Sequence, residues 1–295
     1  MFDRIFADYL LKKGALSEAD LHKIYTGQEK RYVRLGVIAI SEKLMTIEQV
    51  EEVNELQTIY DKRFGDIAIS EGYLNEEQVG RLLVLQGNAF LAFMQAVIDL
   101  DLMSADEFDD ALMSYQKDNN LTPMNMEELK SCNVDRIMPI FLYDRPELVQ
   151  NLCGVMVRTS MRLLDNHIYV KRPRIVDSVD YSCLSLQELT GDHKIVTAIT
   201  GDIDDAMKKA AVAFAGADNV EGPEDTLDAM CELINCVNGL LATDMSNKDV
   251  DIDMLAPVAT DAPGTMKSKS ILVLPIVVCG KDLDVLVILD EDYSI

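Results

Sequence analysis

Four side chains with chemistry to offer, Asp228, Glu232, Asn235 and Asn238, recur at helical spacing within LDAMCELINCVNG, residues 227–239. On a helix turning about 100° per residue, Asp228, Asn235, Asn238 and Gly239 fall within roughly 120° of Glu232, on one side. Met230, Ile234, Val237 and Leu241 cluster on the opposite side as an apolar stripe. A carboxylate one turn from an amide can pair with a cation and hold a water, because the amide donates and accepts hydrogen bonds without adding charge. Such a helix buries one face and offers the other, so neighbouring elements must supply a surface for the stripe.

The rest of the chain limits what that face can meet. The 295 residues suggest about two domains, and 48% apolar content is enough for a core in each. A formal charge of −24, spread along the whole chain, repels phosphate backbones and anionic lipid, which argues against nucleic-acid or membrane partners. The start, Met1-Phe2-Asp3-Arg4, lacks the basic and apolar regions of a signal peptide, and the longest apolar run, ILVLPIVVC (271–279), is too short to span a bilayer. Six cysteines without Cys-x-x-Cys spacing read as reduced core thiols of a cytoplasmic protein. His22, His167 and His193 are scattered, so no metal site is expected.

Residues 1–118 are repetitive. LLKKGALSEADL, AISEKLMTIEQV, AISEGYLNEEQV and VIDLDLMSADEF begin at Leu10, Ala39, Ala68 and Val97, at a constant interval of 29. Ser17, Thr46, Asn75 and Ser104 are each followed three residues later by Asp20, Gln49, Gln78 or Glu107, the pattern of a capping box. Apolar residues before and after each cap form a hydrophobic staple. Each unit is therefore expected to be one helix of three or four turns, entered through a short apolar segment.

Repeats two and three, RLGVIAISEKLMTIEQVEEVNELQ and RFGDIAISEGYLNEEQVGRLLVLQ, resemble the N-terminal helical modules of type II secretion and type IV pilus assembly ATPases. Some of those modules bind cyclic di-GMP, and the resemblance implies that Arg34 and Arg63 would face phosphate or guanine. Lys43, Asn54, Ala39 and Ala68 depart from that motif. The alternative is that Arg and Gln cap and cross-link the units of a helical stack.

A connector over 119–145, with a polar loop at KDNNLTPMN and a short helical pattern after it, leads to a chain of different character. Over 146–295 we expect a helix (147–164), strands at 166–176, 180–189 and 194–200, a helix at 203–216, and the long helix from Pro223 to about Thr243. Strands at 249–257, 270–278 and 283–290 follow, the last two joined by the hairpin signal Cys279-Gly280-Lys281-Asp282. The order predicts an α/β domain, a largely antiparallel sheet covered by long helices, behind an α-helical repeat domain. Pro275 within its strand demands an edge position or a bulge.

Residues 147–295 resemble the chemotaxis phosphatase family, the CheC, CheX and FliY proteins, and CheX most. Asp228-x3-Glu232-x2-Asn235, Gly239 four residues on, Pro257 at the end of a strand, the helix-to-three-strand opening and the closing hairpin carry the resemblance. It implies dephosphorylation of the phospho-aspartate of a CheY-like response regulator, with Mg2+ belonging to the regulator and no cofactor of this chain's own. Asn235 would hold the attacking water in line with phosphorus, and Glu232 would pair with the regulator's lysine. Asn238 and Gly239 would support docking, and Asp228 would either do the same or merely cap and solvate the face. An acyl phosphate is already activated, so holding water suffices, and a neutral amide adds no anion beside the phosphoryl oxygens. A homodimer paired through sheet edges is also within the family's range. Two alternatives stand beside hydrolysis: a scaffold that binds the regulator without cleaving it, and a cyclic di-GMP-responsive signalling protein.

Overall fold

The computed structural model describes residues 1–27, 33–60 and 62–295. The chain divides into two compact units, a helical one of Phe2 and Phe6–Cys132 and a mixed one of Asn133–Ile295 with Met1 and Asp3–Ile5. The expected connector is thereby shared: α9 (Pro123–Lys130) falls in the first unit and α10 (Val134–Phe141) in the second.

In the helical unit every repeat contains two helices rather than the one expected. They are α1 (Phe2–Lys12) with α2 (Glu18–Gly27), α3 (Leu35–Ser41) with α4 (Ile47–Tyr60), α5 (Phe64–Ser70) with α6 (Glu76–Leu85), and α7 (Ala89–Asp99) with α8 (Ala105–Asp118). The apolar entry segments are helices in their own right because each is closed by a left-handed residue. Gly14, Lys43, Gly72 and Asp101, again 29 apart, have φ of +72°, +56°, +77° and +51°. The following amide reaches back to close a Schellman turn, as in Leu44 N to Ala39 O and Tyr73 N to Ala68 O, both 2.9 Å. The second helix of each pair opens on the expected capping box. Asn75 and Gln78 exchange bonds of 2.9 and 2.8 Å, and Ser104 and Glu107 bonds of 2.8 and 3.3 Å. Ser17 with Asp20 and Thr46 with Gln49 do the same. The glycine of the Arg-Leu/Phe-Gly opening lets the paired helices approach. A Cβ at Gly36 would lie 2.6 Å from Val50 Cγ1, and one at Gly65 2.9 Å from Val79 Cγ1. Phe2, Phe6, Phe90, Phe93, Phe108 and Tyr115 fill the core between α1, α7 and α8.

The mixed unit has α11 (Glu147–Leu163), a five-residue π-helical turn (Ile203–Met207) leading into α12 (Lys208–Ala215), and α13 (Pro223–Ser246). Its strands are β1 (Tyr169–Val170), β2 (Arg174–Tyr181), β3 (Leu184–Gly191), β4 (Ile195–Thr200), β5 (Ile252–Met254), β6 (Val258–Thr260), β7 (Gly264–Val278), β8 (Lys281–Leu289) and β9 (Tyr293–Ser294). All pair antiparallel in one curled sheet of order β1-β7-β8-β4-β3-β5, with β2 and β9 also on β7 and β6 on β3. The β7–β8 turn places Cys279 and Gly280 at φ +50° and +74°, a two-residue hairpin with both residues left-handed.

One expectation is corrected and another is narrowed. The strand expected over 249–257 shrinks to β5, and after a break at Leu255–Pro257, where Pro257 has no N–H for a ladder, β6 begins beyond the expected range. Pro275 is not on an edge, since β7 pairs on both sides, but it lies at an irregularity of the kind expected: Val170 opposes Ile276 and Arg174 opposes Val273, so the register shifts by one residue across it. Its carbonyl accepts from Lys171 N at 2.9 Å, so its ring nitrogen also points toward the gap between β1 and β2, where no ladder partner is required.

Alternation along the strands feeds two layers. Ser185 and Gln187 of β3 and Thr197 of β4 face α13, which crosses these strands with α11 and α12 at its sides. Leu184, Leu186, Val196, Ala198, Leu286 and Ile288 face the other way and join Val179, Tyr181, Met266, Ile271 and Val273 in a core made of strand residues alone. Helices therefore cover one face, and the curl of the sheet closes the other.

Candidate functional site

α13 begins as its sequence directs. Pro223 occupies the first turn, and the Asp225 carboxylate accepts from the backbone of Gly222 at 3.1 Å and Glu221 at 3.0 Å. Those two bonds hold the Asp225 carboxyl below the usual carboxylate range. The apolar stripe is buried as expected, with Met230, Ile234, Val237 and Leu241 fully covered.

The polar face is split. Asp228 and Glu232 are exposed, and neither has an ion-pair partner among the described residues. Asn235 and Gly239 are half-buried. Asn238 is 0% exposed, which corrects its expected place on the docking surface. At about 120° from Glu232 it stands only about 70° from the centre of the stripe, and the sheet reaches around to cover it.

A chain of hydrogen bonds runs from the buried layer to the surface. Thr197 Oγ1 donates to Asn238 Oδ1 at 3.1 Å, and Asn238 Nδ2 donates to Gln187 Oε1 at 2.9 Å. Gln187 Nε2 donates to the Leu255 carbonyl at 2.8 Å and to Asn235 Oδ1 at 2.9 Å. A backbone carbonyl only accepts, so Leu255 settles which end of the Gln187 amide is nitrogen. That assignment in turn settles Asn235: its carbonyl faces inward and its NH2 group outward. Sequence reasoning missed Gln187 and Thr197. The available signal was a polar residue at some inward steps of mostly apolar strands, Ser185 and Gln187 in LSLQEL and Thr197 in IVTAIT.

Beside Glu232 lies an open cleft of about 600 Å³, lined by Asp225, Asp228, Glu232, Phe214 and Pro257 among others. The fold thus brings Pro257, some two dozen residues downstream, next to the acids it accompanies in the motif. The cleft is acidic, with Phe214, Pro257 and Ala259 as apolar lining; Leu255 and Val258, which flank Pro257 in the chain, are 47% and 52% exposed. Cys231 also lines it, but burial first, then nearby Asp228 and Glu232, push its thiol pKa up and keep it protonated. The six cysteines are free thiols; Cys153, Cys183 and Cys231 are buried, whereas Cys236 is exposed next to Asn235. Among the described residues no group of three His, Cys, Asp or Glu side chains is placed to hold a metal.

Arg34 and Arg63 lie far from this helix in sequence, in the helical unit. Arg34 forms an ion pair with Asp99 of α7, and its backbone N–H donates to Gln95 at 2.7 Å. Gln86 Nε2 donates to the Val33 carbonyl at 2.8 Å, and Gln57 Nε2 to that of Lys62 at 3.2 Å. These are the bonds of residues that cap and cross-link repeats. Arg63 is exposed and caps α5 without a side-chain bond.

No protein-family model matches the chain, and no curated protein does. Solved structures of chemotaxis proteins do. CheX from Desulfovibrio desulfuricans is similar with 15% identity and a TM-score of 0.43, over 49% of this chain and 99% of that one. CheX from Vibrio vulnificus is similar with 19% identity and a TM-score of 0.42, over 49% and 99%. A complex of CheX with CheY, BeF3 and Mg2+ from Borrelia burgdorferi matches with 16% identity and a TM-score of 0.38, over 49% and 99%. These similarities lie in the C-terminal half, and the helical unit has no identified match.

Proposed function

We propose that this protein hydrolyses the phospho-aspartate of a CheY-like response regulator at the exposed face of α13. The observation that carries this reading is the pairing of Glu232 and Asn235, one turn apart at the surface of a helix whose other face is locked into the core. Asn235 Nδ2 has no partner among the described residues and is free to donate to a water. A water that accepts from it keeps a second lone pair for phosphorus. Because the phosphoryl donor is activated, holding that water in line is the main task left to the protein.

Glu232 performs a different role. An anion beside a phosphoryl group is unfavourable unless a cation joins it, so Glu232 and Asp228 suit a regulator lysine that enters the acidic cleft. Leu255 and Val258 then provide apolar contact around the charges, as the centre of a docking surface requires. Mg2+ belongs to the regulator in this scheme.

The test is the lifetime of phosphoryl-aspartate on CheY-like regulators mixed with the full chain. Wild type is expected to shorten it. Asn235→Ala is expected to lose about 10²-fold in rate while binding survives, the scale of a misplaced reactant. Binding of the phosphorylated regulator with an unchanged lifetime would identify a scaffold instead.

A further inference from the structure

We infer that Gln187 is the positioning residue that selects the donor end of the Asn235 amide for the surface; this rests on the hydrolytic reading above. An exposed asparagine ordinarily turns freely between two orientations, and for holding a nucleophilic water the two differ. The NH2 end accepts no proton and leaves a lone pair of the water available, whereas the carbonyl end binds the water through its hydrogens. Gln187 removes the choice. It is 1% exposed, at the centre of β3, and aims Nε2 at two oxygens, Leu255 O at 2.8 Å and Asn235 Oδ1 at 2.9 Å.

The far end of Gln187 is secured with equal care. Its Oε1 accepts from Asn238 Nδ2 at 2.9 Å, and Asn238 Oδ1 accepts from Thr197 Oγ1 at 3.1 Å. Rotation of Gln187 by a half-turn would set its carbonyl against that of Leu255 and its NH2 against the Asn238 NH2. Two buried side chains, one from a strand and one from a helix, and the Leu255 carbonyl would then be mispaired together. The same amide ties Leu255, two residues before Pro257, to α13, so the orientation of Asn235 and the position of the cleft rim are set by one group.

Gln187→Glu in the full chain is the diagnostic substitution. It keeps size and places an acceptor where the donor to Asn235 stood, so Asn235 is expected to turn its NH2 inward. Two readouts follow it. The first is hydrogen exchange of the side-chain amide protons by NMR, which needs no regulator: in wild type the Asn235 NH2 exchanges fast and the Gln187 NH2 slowly, and in the variant Asn235 becomes protected. The second is steady-state dephosphorylation, where kcat falls about tenfold while KM for the phospho-regulator stays within about twofold, because a catalytic orientation is lost and the docking contacts remain. If Gln187→Glu does not fold, Gln187→Met serves, with Asn235 exchanging fast and kcat again reduced. Wild-type kcat in either folded variant, or protected Asn235 protons in wild type, overturns the assignment. A wild-type chain that leaves every regulator's phosphate lifetime unchanged defeats the hydrolytic reading by itself, and amide exchange still decides what Gln187 orients.

Discussion

Asn235 and Asn238 are the same residue three positions apart on one helix, and their surroundings give them opposite duties. Asn235 keeps one end of its amide in solvent, whereas Asn238 has both ends engaged by Gln187 and Thr197. Asn238→Ala is therefore expected to destabilise the mixed unit by about 1–3 kcal/mol, since it strands a buried carbonyl and hydroxyl. Asn235→Ala strands a single Gln187 N–H at a half-buried position and should cost less, about 1 kcal/mol, and urea titration of both variants compares them directly. The cysteines divide in the same way. Burial pushes the Cys153 thiol up to about 12 and raises Cys231, while Cys236 is exposed. Alkylation of the native protein near pH 8, followed by mass spectrometry, should label Cys236 first and leave Cys153 unmodified.

Among the elements, the repeats show where local sequence meets geometric demand. Lys43 occupies a left-handed turn at φ +56° that two of the other repeats fill with glycine. A side chain there costs about 1 kcal/mol, so Lys43→Gly should stabilise the helical unit by roughly that amount in thermal or urea unfolding. Gly65→Ala should act in the opposite sense, by about 1–3 kcal/mol, because its methyl would sit 2.9 Å from Val79. At the start of α13 the sign of the pH effect follows from Asp225. The backbone N–H groups of Gly222 and Glu221 lower its folded-state pKa, so its contribution is present above the ordinary carboxylate pKa and is lost as pH falls through the lowered value. From about pH 4 downward the melting temperature of wild type should therefore fall more steeply than that of Asp225→Ala.

At the level of the whole molecule, the two units have separate cores, one aromatic and helical, the other built on a sheet. Calorimetry is expected to resolve two transitions, and Lys43→Gly should move only one of them. Most side chains in the second half of β7 and in β8 are buried on both faces of the sheet, one of which the curl closes, which accounts for the almost unbroken apolar runs there. No single helix among the described residues is long and apolar enough to cross a membrane.

Signals that depend on neighbours in the chain were legible in the sequence. All four capping boxes, the β7–β8 turn and the long amphipathic α13 involve residues within a few positions of one another, where type and spacing suffice, and the 29-residue period repeats such local signals. The pairing of Glu232 with Asn235 at one turn belongs to the same class. The tertiary structure alone decided the rest. Pro275 is tolerated inside the sheet because a gap between β1 and β2 lies opposite its nitrogen. Asn238 is buried because a strand some 40 residues away covers the flank of α13. The orientation of Asn235 depends on Gln187 and the Leu255 carbonyl, 48 residues before it and 20 after. Hydrogen-bond direction and burial are set by groups that only folding brings within 3 Å, and no spacing along the chain encodes which partner will arrive.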